Sequence, residues 1–148
     1  MSELSDLYQE VILDHSQKPH NYRVMTDATQ SLKGHNPLCG DQMTLYLRME
    51  GDKIQDITFQ GQGCAISKSS TSVLTDLVKN KTKAEALALF DKFQKIVTGK
   101  NSEQLDDTDL MAVFAGVASY PNRIKCAILA WHTLKSALEN KQKQVSTE

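Results

Sequence analysis

"QMTLYLRM" (42–49) and "KIQDITFQG" (53–61) decide the fold. In the first run Leu45 and Leu47 alternate with Tyr46 and Arg48, and in the second Ile57 and Phe59 alternate with Thr58 and Gln60. Both have the two-residue period of a strand with one buried face. Only Glu50-Gly51-Asp52 separates them, and so short a break containing glycine closes an antiparallel hairpin. A further strand is expected upstream, in "ATQSLKG" (28–34).

Beyond Gly61 and Gly63 the period lengthens. "CAISKSSTSVLTDLVKN" (64–80) is too long for one strand, and Ile66, Val73, Leu74, Leu77 and Val78 suit one face of a helix. "KAEALALFDKFQKIVTG" (83–99) is a clearer amphipathic helix, with Gly99 placed to cap its C-terminus. "LDDTDLMAVFAGVAS" (105–119) reads as a shorter helix. After the boundary at Pro121, "NRIKCAILAWHTLKSALENKQ" (122–142) reads as the last one, fraying into the polar "KQVSTE". On the N-terminal side, Leu4, Leu7, Tyr8, Val11 and Ile12 share a helical face that ends near His15, where Pro19 in "SQKPHNY" breaks it. Helix, then strands, then a run of helices is an α+β order. The expectation is a small antiparallel three-stranded sheet packed against several helices, one domain over 1–148, with about 142–148 as a flexible tail.

Charge and composition narrow the function. Seventeen basic against 18 acidic side chains give a formal net charge of -1, so binding nucleic acid by counterion release has no support. The longest apolar stretch, "MAVFAGVA" (111–118), falls far short of the ~18 residues of a membrane span. Glu3, Asp6 and Glu10 stand where a secretory signal would be basic and then apolar, so a cytoplasmic location is expected. Thiols stay reduced there, and three cysteines is an odd number, so a disulfide framework is a poor account of Cys39, Cys64 and Cys126. Buried packing, reactive thiols and metal ligation are the readings that remain.

All three cysteines fall at the ends of elements, where side chains from distant segments converge. Two glycines precede Cys64 and let the chain bend, and the helix N-terminus behind it favours negative charge. In "CGD" (39–41), residues two apart share a face in extended backbone, and Gly40 permits conformations closed to other residues, so Cys39 and Asp41 can grip one ion. Three thiolates and a carboxylate suit tetrahedral zinc, and Arg123 and Lys125 beside Cys126 would offset the negative charge of such a site. The aspartate is expected to be its most exchangeable ligand. The spacing matches no compact zinc finger, and for any one cysteine taken alone a small buried hydrophobe is the simpler reading.

"NPLCGD" (36–41), "GQGCAISKSSTS" (61–72) and "PNRIKCAILAW" (121–131) resemble, in order, the three cysteine motifs of the IscU/NifU-N family, and specifically its SufU branch. The resemblance runs from "LYQEVILDH" to the last helix. It implies a SufE/NifU-like α+β domain with Cys39, Asp41, Cys64 and Cys126 as metal or cluster ligands. It implies a zinc-dependent sulfurtransferase that accepts persulfide sulfur from a SufS-type cysteine desulfurase for iron–sulfur cluster assembly. A downstream cluster assembly complex is a possible further partner. The alternative, carried by the IscU branch, is a scaffold that builds and transfers an iron–sulfur cluster on the same cysteines. Two departures favour SufU. Lys125 stands where IscU has a histidine before the third cysteine, and "VTGKNSEQLDDTDLMAVFAG" lengthens the segment between the second and third cysteines. Cys39 is the expected sulfur acceptor, since its loop contains glycine while Cys64 and Cys126 are tied to helices. Zinc would then serve as a switch on that thiolate rather than as a Lewis acid.

Other residues have plainer explanations. His15, His20, His35 and His132 lack i,i+4 pairing with one another, and His35, four residues before Cys39, is the one to watch. Ile128, Trp131 and Leu134 share a helical face and read as core. Ser67, Ser69, Ser70 and Ser72 are surrounded by no G-x-S-x-G elbow and read as small residues for close helix packing. Asp106, Asp107 and Asp109 read as a solvated helix start.

Overall fold

The computed structural model describes residues 3–37, 40–100, 110–139 and 144–146, with backbone alone for 3–8 and 144–146. Three strands form an antiparallel meander: β1 (Gln30–Asn36), β2 (Asp41–Glu50) and β3 (Lys53–Gln62). The β2–β3 turn is as tight as its sequence requires, with Glu50 opposite Lys53 and Gly51 at φ 60°, a conformation that glycine adopts without steric cost. Along β2 burial alternates strictly from Asp41 through Met43, Leu45 and Leu47, which face inward. The same parity in β1 turns Leu32, Gly34 and Asn36 inward. β1 continues two residues past the expected end at Gly34.

Helices α2 (Ala65–Val78) and α4 (Pro121–Glu139) pack on the inner face, with α1 (Glu3–Gln17) lying against α2 and α3 (Lys83–Val97) against α4. α4 lies directly on β1: a β-carbon on Gly34 would collide with Thr133 Oγ1. Trp131 of α4, fully buried, stacks on Phe93 of α3 with ring centroids 4.7 Å apart, and Phe93 meets Phe114 edge-on at 5.7 Å. These rings join Leu45, Leu47, Ile57 and Leu74 in one core. α3 begins with a reciprocal capping box between Thr82 and Glu85. It ends in a Schellman motif, with Gly99 at φ 73° donating to Ile96 O and Lys100 donating to Lys95 O, as the sequence led one to expect of Gly99.

Two details differ from the sequence reading. Leu110–Ser119 is a 3₁₀ helix, whose three-residue turn sets Met111, Phe114 and Val117 in one buried line, a packing that an α-helix would splay. Residues 105–109 of the expected helix, with Asp106, Asp107 and Asp109, lie outside the described residues. Gln144–Ser146 adds a short parallel strand, β4, to the edge of β1 and so occupies backbone groups the meander leaves open. The opposite edge, β3, is covered by residues 21–23, with Phe59 N–H donating to Asn21 O and Arg23 N–H donating to Phe59 O. Among the described residues no helix is long and apolar enough to cross a membrane.

Candidate metal centre

One end of the sheet gathers the site. Asp41 opens β2 in phase with its core-facing residues, so its carboxylate points inward and is fully buried. Across the sheet it sits between Asn36, its register partner on β1, and Gly63, which follows the Gln42–Gln62 pair of β2 and β3. Gly63 has no room for a side chain, since a β-carbon there would lie 2.6 Å from Asp41 Oδ1. The next residue, Cys64, donates its backbone N–H to the same Oδ1 at 2.9 Å. Cys64 is the N-cap of α2, where its sulfur accepts the Ser67 N–H at 3.4 Å and lies 4.0 Å from Asp41 Oδ2.

Cys126 enters from α4 and is fully buried. Its position relative to Cys64 is fixed by Ser70 of α2, whose hydroxyl donates to the Ala127 carbonyl at 2.6 Å. Ser67, Ser69, Ser70 and Ser72 are all buried along α2, as expected of small residues between packed helices. The Cys126 sulfur accepts from Asn36 Nδ2 at 3.6 Å. Ligating atoms of Asp41, Cys64 and Cys126 all lie within 4.8 Å of one another. Cys39 lies outside the described residues; Gly40, between it and Asp41, has φ 73°.

The donor set fits a soft divalent cation. Zinc–sulfur bonds of ~2.3 Å and zinc–oxygen bonds of ~2.0–2.2 Å give tetrahedral edges of about 3.5–3.8 Å. The 4.0 Å between Asp41 and Cys64 needs only a small contraction to reach that range. Electrostatics point the same way. Among the described residues no basic side chain makes an ion pair with the buried Asp41, and a carboxylate removed from water is costly without a compensating charge. Lys125, half-buried and next to Cys126, makes no ion pair with the cluster, and Arg123 is exposed on the first turn of α4.

A second gathering of ligating atoms escaped the sequence reading. His15, His20 and Asp76 come within 4.8 Å, although 56 residues separate the last two. The His15 Nδ1 pairs with Ser72 Oγ at 2.7 Å and the His20 Nδ1 with Asp76 Oδ2 at 2.5 Å, while the His20 backbone N–H donates to the same Ser72 hydroxyl. These bonds latch the end of α1 and the connection after it to α2. Burial, reinforced by neighbouring His20, lowers the His15 pKa from its ordinary value, against the opposite pull of Asp76 and Asp14. Burial also lowers that of His132, with Lys135 adding to the effect. His35, on the outer face of β1 opposite Gln42, is not part of the sulfur cluster.

Residues 7–127 match the family described as NifU-like N terminal domain. The chain is 42% identical over 139 residues to an iron–sulfur cluster assembly scaffold protein IscU of Streptococcus pyogenes serotype M1, covering 94% of this chain and 87% of that one. It is 34% identical over 139 residues to the zinc-dependent sulfurtransferase SufU of Bacillus subtilis (strain 168), covering 94% of each. A solved structure from Fervidobacterium islandicum AW-1, described as a candidate cluster assembly scaffold for the SUF system, superposes with a TM-score of 0.81 at 38% identity. That superposition covers 87% of this chain and 94% of the other. The N-terminal NifU-like protein of Brucella abortus shares the fold, with a TM-score of 0.82 at 21% identity over 95% and 97% of the two chains.

Proposed function

Because the chain belongs to the NifU-like N-terminal domain family of iron–sulfur cluster assembly proteins, and because a buried carboxylate faces two sulfurs in it, we propose a zinc-dependent sulfur acceptor. Its donor is the persulfide of a SufS-type cysteine desulfurase. The observation that carries the reading is Asp41, fully buried among Cys64 and Cys126 without a basic partner among the described residues. Asp41, Cys64 and Cys126 would hold the metal, with Cys39 as the fourth ligand and the sulfur acceptor. Bound zinc supplies positive charge that keeps these thiolates ionised and compensates the buried carboxylate.

The residues divide the work. Cys64 and Cys126 are anchored to helices and serve as the fixed ligands. The Cys39 thiolate attacks the terminal sulfur of the donor persulfide. A new S–S bond forms on Cys39, the donor's S–S bond breaks, and the donor cysteine leaves as a thiolate with the electron pair. Arg123, exposed at the start of α4 beside the site, is suited to steering an acidic partner surface. The ammonium of Lys125 has no lone pair to offer a metal, which disfavours a cluster ligand at that position.

The test is cysteine turnover by a SufS-type desulfurase with and without this protein, followed by mass spectrometry of the acceptor. Stimulated turnover with a persulfide on Cys39 supports the reading; normal acceptance by Cys39→Ser refutes the assignment of Cys39. The scaffold reading is favoured by the higher identity to the IscU relative. It requires that protein purified under anaerobic conditions and supplied with iron and sulfide hold a stable coloured cluster and pass it to an apo-acceptor.

A further inference from the structure

We infer that Asn36 is a positioning residue: its side-chain amide holds Cys126 as a resident ligand and lowers the nucleophilicity of that sulfur. The inference rests on the metal-site reading above and assigns a role to a residue outside the ligand set.

Asn36 is completely buried at the end of β1, directly opposite Asp41 in the register. Its Nδ2 lies 3.6 Å from the Cys126 sulfur, within hydrogen-bonding range for a sulfur acceptor. Its Oδ1 is buried with no hydrogen-bond partner among the described residues. An amide sealed from water with half of its hydrogen-bonding capacity unused is costly to bury, and an apolar side chain of the same size would avoid that cost. The contact between its N–H and the sulfur is the return on that burial. Reversing the amide would set its oxygen against the sulfur, two acceptors facing each other, and would leave the NH₂ unpaired instead.

A hydrogen bond to a thiolate withdraws charge from it. The sulfur becomes a weaker nucleophile while it remains a ligand. Cys64 has a comparable donor in the Ser67 N–H at 3.4 Å. Each of the two helix-anchored sulfurs therefore has its own N–H donor, one from α2 backbone and one from the β1 side chain. An electrophilic persulfide reaching either of these two sulfurs then meets a damped nucleophile.

The experiment reads the bond itself and then its consequence. In the full chain loaded with ¹¹³Cd, the Asn36 Hδ2 resonance should show scalar coupling to cadmium through the Cys126 sulfur. Asn36→Ala loaded with Co²⁺ should move the sulfur-to-cobalt charge-transfer band to lower energy. Its zinc form should alkylate at Cys126 with iodoacetamide on the order of tenfold faster than wild type. After treatment with desulfurase and cysteine, it should carry persulfide on Cys126 as well as on Cys39. Wild-type protein that takes up cadmium through its cysteines but shows no coupling at Asn36 overturns the role of Asn36 alone, and this holds even where Asn36→Ala fails to fold. Wild-type protein that takes up no metal through Cys64 and Cys126 overturns both the role and the site. A folded Asn36→Ala with unchanged band energy and unchanged alkylation at Cys126 also overturns the role.

Discussion

Gly63→Ala tests the metal centre with a single methyl group. A β-carbon at position 63 would sit 2.6 Å from Asp41 Oδ1 and 3.2 Å from Asp41 Cβ and Cγ, so the carboxylate must retreat by about 0.8 Å to reach an ordinary contact of about 3.4 Å. Gly63 is not in the left-handed region, so the substitution adds the clash without backbone strain. The retreat also stretches the bond from Cys64 N–H to Oδ1, now 2.9 Å. Overpacking of this kind costs about 1–3 kcal/mol. Displacing a charged acceptor from its donor costs a further part of about 1.5–3 kcal/mol. Much of this falls on the geometry of a proposed metal ligand, so at about 1.4 kcal/mol per decade zinc affinity should fall about 10- to 100-fold. Competition with a chromophoric chelator measures that loss, and urea unfolding of the metal-free protein separates it from any loss of the fold. Gly116→Ala, with open space around its β-carbon and no positive φ, is the control. Wild-type zinc affinity in Gly63→Ala would falsify the placing of Asp41 among the ligands.

Gly61→Ala should lose about 2–4 kcal/mol in urea unfolding, because its β-carbon would land on backbone of Gln42 and Met43 at φ 155°; wild-type stability would contradict the β2–β3 register. Trp131→Ala removes the fully buried ring stacked on Phe93 and should cost about 3–5 kcal/mol, read as a lowered thermal midpoint; a shift of only a degree or two would mean that the core is not closed around it. His15 and His132 have pKa values lowered in the folded state, so the unfolded chain takes up protons first as pH falls. The stability they contribute is complete above the ordinary histidine value of 6.5 and is lost below it, with a slope of at most about 1.4 kcal/mol per pH unit for each group. Chemical unfolding from pH 8 to 5 reads that slope, and His15→Gln should reduce it; a flat profile would refute the linkage.

The hairpin, the two long helices and the Gly99 cap were legible because each is written in local period and local chemistry. Two other features were not. Asn36 went unnoticed because the expected strand stopped at Gly34; carrying its parity two residues further would have turned Asn36 inward beside Asp41. The latch of His15, His20 and Asp76 depends on packing between α1 and α2, and no spacing rule spans 56 residues. The 3₁₀ form of Leu110–Ser119 was hidden for a related reason: its apolar residues fit several helical periods, and its tertiary neighbours choose among them. Cys64 and Cys126 fall at the starts of α2 and α4, as read from the sequence, and Asp41 joins them.

Ligand chemistry alone made the carboxylate the exchangeable member of the proposed set. Its surroundings argue otherwise. Asp41 is fully buried, holds the Cys64 N–H, and is enclosed by Asn36 on one side and Gly63 on the other. For Asp41 to leave the proposed metal, its carboxylate must give up the Cys64 N–H and shift in the closed space between Asn36 and Gly63. The flanks of the turn are different: Pro37 and Gly40 are exposed, and Gly40 already occupies a conformation that few residues share. If ligand release sets the rate of sulfur acceptance, stiffening the turn should slow it while zinc affinity holds. Gly40→Asn does this with the non-glycine residue best suited to a positive φ. Acceptance as fast as in wild type, at equal zinc loading, would place the moving part elsewhere.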